Sequence, residues 1–276
     1  MADSNPHVAA FVGKVREAYH PNLPESFWDC EGPFRRLLDS SFLVDIINEE
    51  LRRVAAGTEK ASNWMASELV LHRGGGLGLS ISVFEGLQRY IHALPYHAMY
   101  SAAGGGKLSC NAFRLPVNYR NETFDPSLRL IQDGSLSKAP GEVFHLHSNT
   151  HAYSFISDGP TLVVKFMTAA IRPLEWLFSR SGLQAWQAND ADLSFTQLRV
   201  AADVAGRFAH QSSLDPLKHL THHEHHAVRW AAIQNLARIS RSEAMARLRE
   251  AASDPHPHVQ RAAQKTLQKL EVTQKQ

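Results

Sequence analysis

The sequence carries 16 histidines, and their spacing is where chemistry would start. They fall in two groups, His7 to His151 and His210 to His258, with none between. In the first group, His145, His147 and His151 stand two and four residues apart behind Pro140-Gly141. Even spacing on an extended strand puts side chains on one face, and a turn at Ser148-Asn149 would interrupt that face. Upstream, His92 and His97 precede a Gly104-Gly105-Gly106 turn. Neutral imidazoles are ligands for iron, zinc, nickel and manganese-type ions. Tyr96, Tyr100 and Tyr153 lie within a few residues of these histidines, in reach of a bound ligand. Arg114 and Arg129 fall in or near expected strands, where a guanidinium can clamp a carboxylate in bidentate fashion. Cys110 sits in an alternating strand and reads as a small buried apolar residue, with no motif to activate it.

The second group is denser. His219, His222, His223 and His226 are three or four residues apart and would share one face of a helix, a spacing that traps zinc or nickel. The better reading is an inter-helical turn followed by a helix start.

Several short elements must position the first group. Residues 77–84, 107–117, 142–147 and 151–156 alternate or are rich in β-formers, and 161–167 is a nearly continuous apolar run. Gly74-Gly75-Gly76, Asp133-Gly134, Pro140-Gly141 and Asp158-Gly159-Pro160 separate them as turn signals. Short strands so punctuated predict an antiparallel sandwich or small barrel. Around them the pattern is helical. Leu38, Phe42, Ile46 and Leu51 have helix-like spacing, and Pro173 opens a segment through 207 that reads as helix. Residues 225–239 and 256–270 are an internal repeat, with Val228, Ala231, Ala232 and Leu236 matching Val259, Ala262, Ala263 and Leu267, 31 residues on.

The β region resembles the cupin superfamily. His92-Ala-Leu-Pro-Tyr-His97 before the glycine turn occupies the place of a first cupin motif, and Pro140-Gly141 through His151, then Gly159 to Val164, that of a second. Within cupins the layout is most similar to the cysteine dioxygenase-type thiol dioxygenases, over about residues 67–170. That resemblance implies ferrous iron held by His92, His97 and His151, with zinc, nickel or manganese as other metals. Reach from those ligands and strand position then single out Tyr153, Tyr100 and Arg114 as catalytic candidates, and Arg129 and Tyr96 as substrate-binding ones. Two departures stand out: Leu94 replaces the second histidine of His-x-His, and nothing acidic lies between Glu85 and Glu122. The repeat resembles HEAT repeats, whose Val-Arg-x-x-Ala-Ala-x-x-Leu pattern runs from Val228 to Leu236. Gln260 replaces the arginine in the second copy.

Composition bounds the rest. A chain of 276 residues with a net charge of +2 carries no field that would select nucleic acid. Two cysteines exclude a disulfide scaffold. No apolar run approaches the roughly 18 residues of a spanning helix, and the N-terminus has no apolar signal core. The expectation is a cytoplasmic α+β protein. It has an N-terminal helical segment (1–66), a cupin-like β-barrel (67–170), linker helices (171–210) and HEAT-like repeats (211–276). The expected function is that of a mononuclear non-haem iron dioxygenase of a small thiol or amino-acid-like substrate. The alternative is a non-catalytic small-molecule-binding cupin. Either would carry the repeat tail as a protein-docking surface, with a homodimer implied by the resemblance.

Overall fold

The computed structural model describes residues 5–57, 64–65 and 68–274. It divides into two compact units, Met1–Asn189 and Asp190–Gln276. The expected segment boundary at 66/67 lies outside the described residues.

The first unit opens with α1 (Pro6–Ala18), a 3-10 segment (Pro24–Cys30), α2 (Glu31–Leu38) and α3 (Phe42–Ala55). Asn5 caps α1 by accepting from the amides of His7 and Val8. The helical reading of residues 34–54 holds, with a break at 39–41 that makes two helices of it.

Eleven strands follow: β1 (Trp64–Met65), β2 (Glu68–Gly74), β3 (Leu77–Leu87), β4 (Tyr90–Ala93), β5 (Ala98–Ala103), β6 (Leu108–Arg114), β7 (Ile131–Lys138), β8 (Val143–Leu146), β9 (His151–Thr168), β10 (Leu174–Ser179) and β11 (Ala185–Asp190). The spine is β9. Its second half pairs with β3 on one side and β5 on the other. Its first half pairs with β6 on one side, and on the other with β4 at His92↔Tyr153. Two half-sheets therefore share one strand. Among the described residues the strand ladder ends at β1, β7, β8 and β11 without closing. The α+β class and antiparallel strands agree with the sequence pattern, and the expected barrel is an open, bent sheet.

Three further corrections concern secondary structure. Asp158-Gly159-Pro160 does not end a strand; β9 runs through it. Asp133-Gly134 lies inside β7, where Asp133 is the extra residue of a bulge opposite Ala112 and Phe113 of β6. Residues 174–190, expected as helix, form β10 and β11. Leu174, Trp176 and Phe178 alternate into one apolar cluster, so period two wins over a helical stripe.

Alternation sorts side chains into layers. Val8, Phe11 and Val15 of α1, with Phe27 and Phe34, pack on Leu79, Ile81, Val164 and Phe166, so the N-terminal helices cover one outer face. Residues 115–130 cover another outer face, with Leu115, Leu128 and Leu130 against Ile91, Phe113 and Trp176. Between the half-sheets lies an inner cluster that includes Leu94, Tyr100, Cys110, Phe144, Tyr153, Phe155 and Val163. Gly106 allows β6 to start close to β9, since a Cβ there would meet Thr161 Oγ1 at 2.5 Å.

The second unit holds α4 (Leu193–Phe208), α5 (Leu214–Leu220), α6 (His226–Ile239), α7 (Arg241–Ala251) and α8 (Pro257–Gln274). Gly206 of α4 faces Asn235 of α6, whose side chain leaves no room for a Cβ. Leu236 joins Ala202 and Leu217 in one cluster, and Ile233 joins Leu248 and Val259 in another. Among the described residues no helix is long and apolar enough to cross a membrane.

Candidate functional site on the inner face

Strand parity decides which side chains can meet. Ile91 and Ala93 belong to the outer cluster and Leu94 to the inner one, so His92 points inward with Leu94. His92 is the register partner of Tyr153, itself an inner residue. Two residues before Tyr153 on the same face is His151, with ring centroids 6.2 Å apart. Leu174 and Trp176 face outward, which turns Glu175 inward, and its Oε1 lies 2.9 Å from His92 Nδ1. His92 with its partner Glu175, and His151 with Asp133, thus lie on the inner face beside Tyr153, without all their ligating atoms coming within 4.8 Å of one another.

The inner face continues along the other half of β9. Val163 and Met167 are inner residues, so Lys165 between them points inward. Its ammonium lies 2.5 Å from Glu68 Oε1, and Ser80 donates to the same oxygen at 2.6 Å. Burial alone would raise the Glu68 carboxyl; the hydrogen bonds from Lys165 and Ser80 outweigh it and leave it below the ordinary value. Tyr96 and Tyr100 are hydrogen-bonded to each other. Burial, with Glu175 next, pushes Tyr96 up to about 12, and burial with Tyr96 raises Tyr100 further. Burial likewise raises Tyr153, whose hydroxyl accepts from the His147 amide at 2.8 Å. All three phenols therefore stay protonated and serve as donors. Burial pushes Cys110 up to about 12, which makes it an inert apolar residue, as its strand pattern suggests.

At the rim, His151 Nε2 lies 3.0 Å from Asp133 Oδ2, and Arg114 donates to Asp133 Oδ1 at 2.8 Å. Arg129 is exposed between Leu128 and Leu130, both in the outer cluster, so it stands away from the inner face.

His97 is on the other side of the sheet. Its ring is buried against Trp28 of the 3-10 segment, with centroids 5.1 Å apart, and its Nε2 lies 3.4 Å from Glu25 Oε1. His147 stacks nearer to the same indole, at 4.3 Å, and His145 Nε2 meets Glu31 Oε2 at 3.0 Å. Burial lowers both His97 and His147 below the ordinary imidazole value. The three imidazoles and two glutamates tie the N-terminal helices to the sheet. His92, His97 and His151 therefore do not gather as one ligand set: two face inward and one faces the helices. Sequence reasoning missed Glu175, Lys165 and Glu68. Lys165 and Glu68 flank apolar strand residues whose parity assigns them inward; Glu175 was hidden by the helical reading of its segment.

Residues 191–268 match the family model of HEAT repeats. A comparison with curated protein sequences gives no match. The solved structures that resemble the chain include cupin-superfamily proteins and dioxygenases. A hydroquinone 1,2-dioxygenase from Sphingomonas sp. shares 14% identity at a TM-score of 0.33, covering 41% of this chain and 72% of its own. A cupin superfamily protein from Desulfitobacterium hafniense shares 12% identity at a TM-score of 0.26, covering 41% and 85%. A DMSP lyase from Ruegeria pomeroyi shares 13% at 0.26, covering 42% and 56%. At those scores the residues of this chain must carry any functional reading, and the C-terminal unit is the part whose sequence matches a family.

Proposed function

We propose that the first unit is a cupin-like enzyme acting on a small molecule bound at the inner face of the bent sheet. Its activity would be that of a metal-dependent dioxygenase. The observation that carries this reading is that His92, paired with Glu175, and His151 share the inner face beside Tyr153. Two imidazoles and one carboxylate on one face would be a donor set for non-haem iron, zinc, nickel or manganese once side-chain rotation draws them together, since as placed their ligating atoms do not all lie within 4.8 Å of one another. This set replaces the expected triad, because His97 faces the helices. A ferrous ion held there would supply a Lewis acid and a site for dioxygen beside the substrate.

The chain's own residues supply the rest. Arg114 offers a guanidinium fork at the rim, so a substrate carboxylate would compete with Asp133 for it. That suits the thiol or amino-acid-like class expected from the sequence. Tyr153, Tyr96 and Tyr100 hold protons and can donate to a substrate oxygen or sulfur without ionising. The Lys165 ammonium, with Glu68 beside it, fixes a second charged point deeper on the same face. Phe84, Phe144 and Phe155 exclude water between the two.

A second reading is a metal-free binding pocket. It is favoured by the carboxylate partner that each inner imidazole already has, Glu175 for His92 and Asp133 for His151. One experiment separates the two. The 276-residue chain carrying His256→Gln and His258→Gln is loaded anaerobically with ferrous iron, desalted and analysed for metal. About one iron per chain, lost in His92→Ala and in His151→Ala with the circular dichroism unchanged, supports the enzyme. Oxygen uptake with small thiol acids then tests the reaction. No retained iron, with thermal stabilisation by a small carboxylate, overturns the dioxygenase and leaves the binding pocket.

A further inference from the structure

The second unit holds a cluster that the reading above does not use. His226 opens α6, while His256 and His258 flank the start of α8. Each offers a ring nitrogen within 4.8 Å of the others, and these three form the one such group of His, Cys, Asp or Glu among the described residues. The His226 and His256 rings stack at 3.6 Å with planes 8° apart, and His258 stands 5.3 Å from His256 and 6.4 Å from His226. Among the described residues no carboxylate pairs with His226 or His258, unlike the inner-face imidazoles, which have Glu175 and Asp133.

The scaffold around the cluster is fixed. Arg229, one turn into α6, binds Asp254 through Nε and Nη2 at 2.8 and 2.7 Å. The same guanidinium donates to the carbonyls of His223 and Glu224. Asp254 also accepts from the His256 amide at 2.8 Å. The clamp therefore holds the two helix starts, and the backbone of His256, in register.

We propose that His226, His256 and His258 form a binding site for a divalent cation of the zinc class that cross-links consecutive helical repeats. Three imidazoles with water as a fourth ligand satisfy tetrahedral Zn2+, Ni2+ or Co2+ without any cysteine. Three half-buried rings this close cannot all carry a proton. Burial, with His256 and His225 next, holds His226 down at about 3, and burial with His256 lowers His258. Tetrahedral coordination at ~2.1 Å brings ligand nitrogens to about 3.4 Å from one another. Two parallel rings cannot both point a lone pair at one ion, so binding breaks the His226–His256 stack. One ring turns about its Cβ–Cγ bond, and the set closes by roughly an ångström.

This site is separate from the inner-face set, and its test is independent of that reading. The 276-residue chain carrying His92→Gln and His151→Gln is titrated with Co2+ and followed by visible absorption. The expected result is one equivalent bound with the intense d–d bands of a tetrahedral site, bleached by Zn2+. His256→Gln and His258→Gln should each abolish the bands while leaving the far-ultraviolet circular dichroism unchanged. Zn2+ should also raise the thermal midpoint of the parent and not of these variants. Weak octahedral bands only, or tetrahedral bands that survive both substitutions, would overturn the proposal. Should a glutamine variant lose helicity, reaction of the parent's histidines with diethyl pyrocarbonate decides. Zn2+ must protect three histidines; protection of none refutes the site.

Discussion

The Arg229–Asp254 pair offers the sharpest test of how the second unit is held. The arginine side chain is 13% exposed and the aspartate 8%. Both are mostly out of water, so the pair survives only because four of the five guanidinium donors are used, two on Asp254 and two on carbonyls. Burial alone would raise the Asp254 carboxyl; the hydrogen bonds from Arg229 and the His256 amide outweigh it and leave it below the ordinary value. Arg229→Met removes the partner and strands a nearly buried carboxylate, which costs about 3 kcal/mol. That is roughly a hundredfold in the unfolding equilibrium constant. Arg229→Met with Asp254→Leu removes the orphaned charge as well as the pair. The double variant should recover at least ~1 kcal/mol of the single variant's loss, because replacing both members avoids the penalty that breaking one incurs. The assay is urea unfolding followed by circular dichroism, with chelator present so that metal plays no part. A single variant that loses less than about 1 kcal/mol, or a double variant as unstable as the sum of the singles, would refute the reasoning.

Two further predictions address the first unit. Asn121 is buried and holds β10 by accepting from the Leu174 amide and donating to the Leu174 carbonyl, at 3.0 and 2.8 Å. Asn121→Ala leaves both backbone groups unsatisfied and should cost about 3 kcal/mol, read from circular dichroism during denaturant unfolding; a loss under ~1 kcal/mol would show that water replaces the side chain. The Glu68 carboxyl lies below its ordinary value of 4.5 in the folded chain, so its contribution to stability is complete above that value and disappears as pH falls through the folded one. The stability gap between wild type and Glu68→Gln, about 1 kcal/mol near neutrality given the partial exposure of Glu68, should therefore close below pH 4.5. Urea titrations across pH 3 to 7 that show a constant gap would contradict the assignment.

Local pattern made a large part of this molecule legible. Alternation located β3, β6 and β8, because period two is a property of the extended chain and needs no partner to be seen. The repeat at 225–239 and 256–270 was legible for the same reason: its period is written along the chain, and Val228 and Val259 fall in the buried positions their match implies. Arg229 was visible as part of that pattern, though its partner Asp254 was not, since that contact is made across a turn. The histidine-rich run from His219 was readable as a turn and helix start, which is where the structure places it.

What only the tertiary structure decided was which face each side chain takes and what waits there. His92 and His97 look like one motif in sequence, yet the chain turns between β4 and β5 and sends them to opposite sides of the sheet. β9 runs through Asp158-Gly159-Pro160 instead of stopping, because the stretches on either side of that tripeptide are each paired on both edges and outweigh the turn signal. Leu174, Trp176 and Phe178 became a strand because a flanking strand, β4, offered them an edge; alone, the segment has no reason to choose. Histidines 226 and 256 stand 30 residues apart in sequence and stack at 3.6 Å in the fold. Composition and periodicity describe one chain segment at a time, whereas a site is made by segments that meet, and only packing chooses which do.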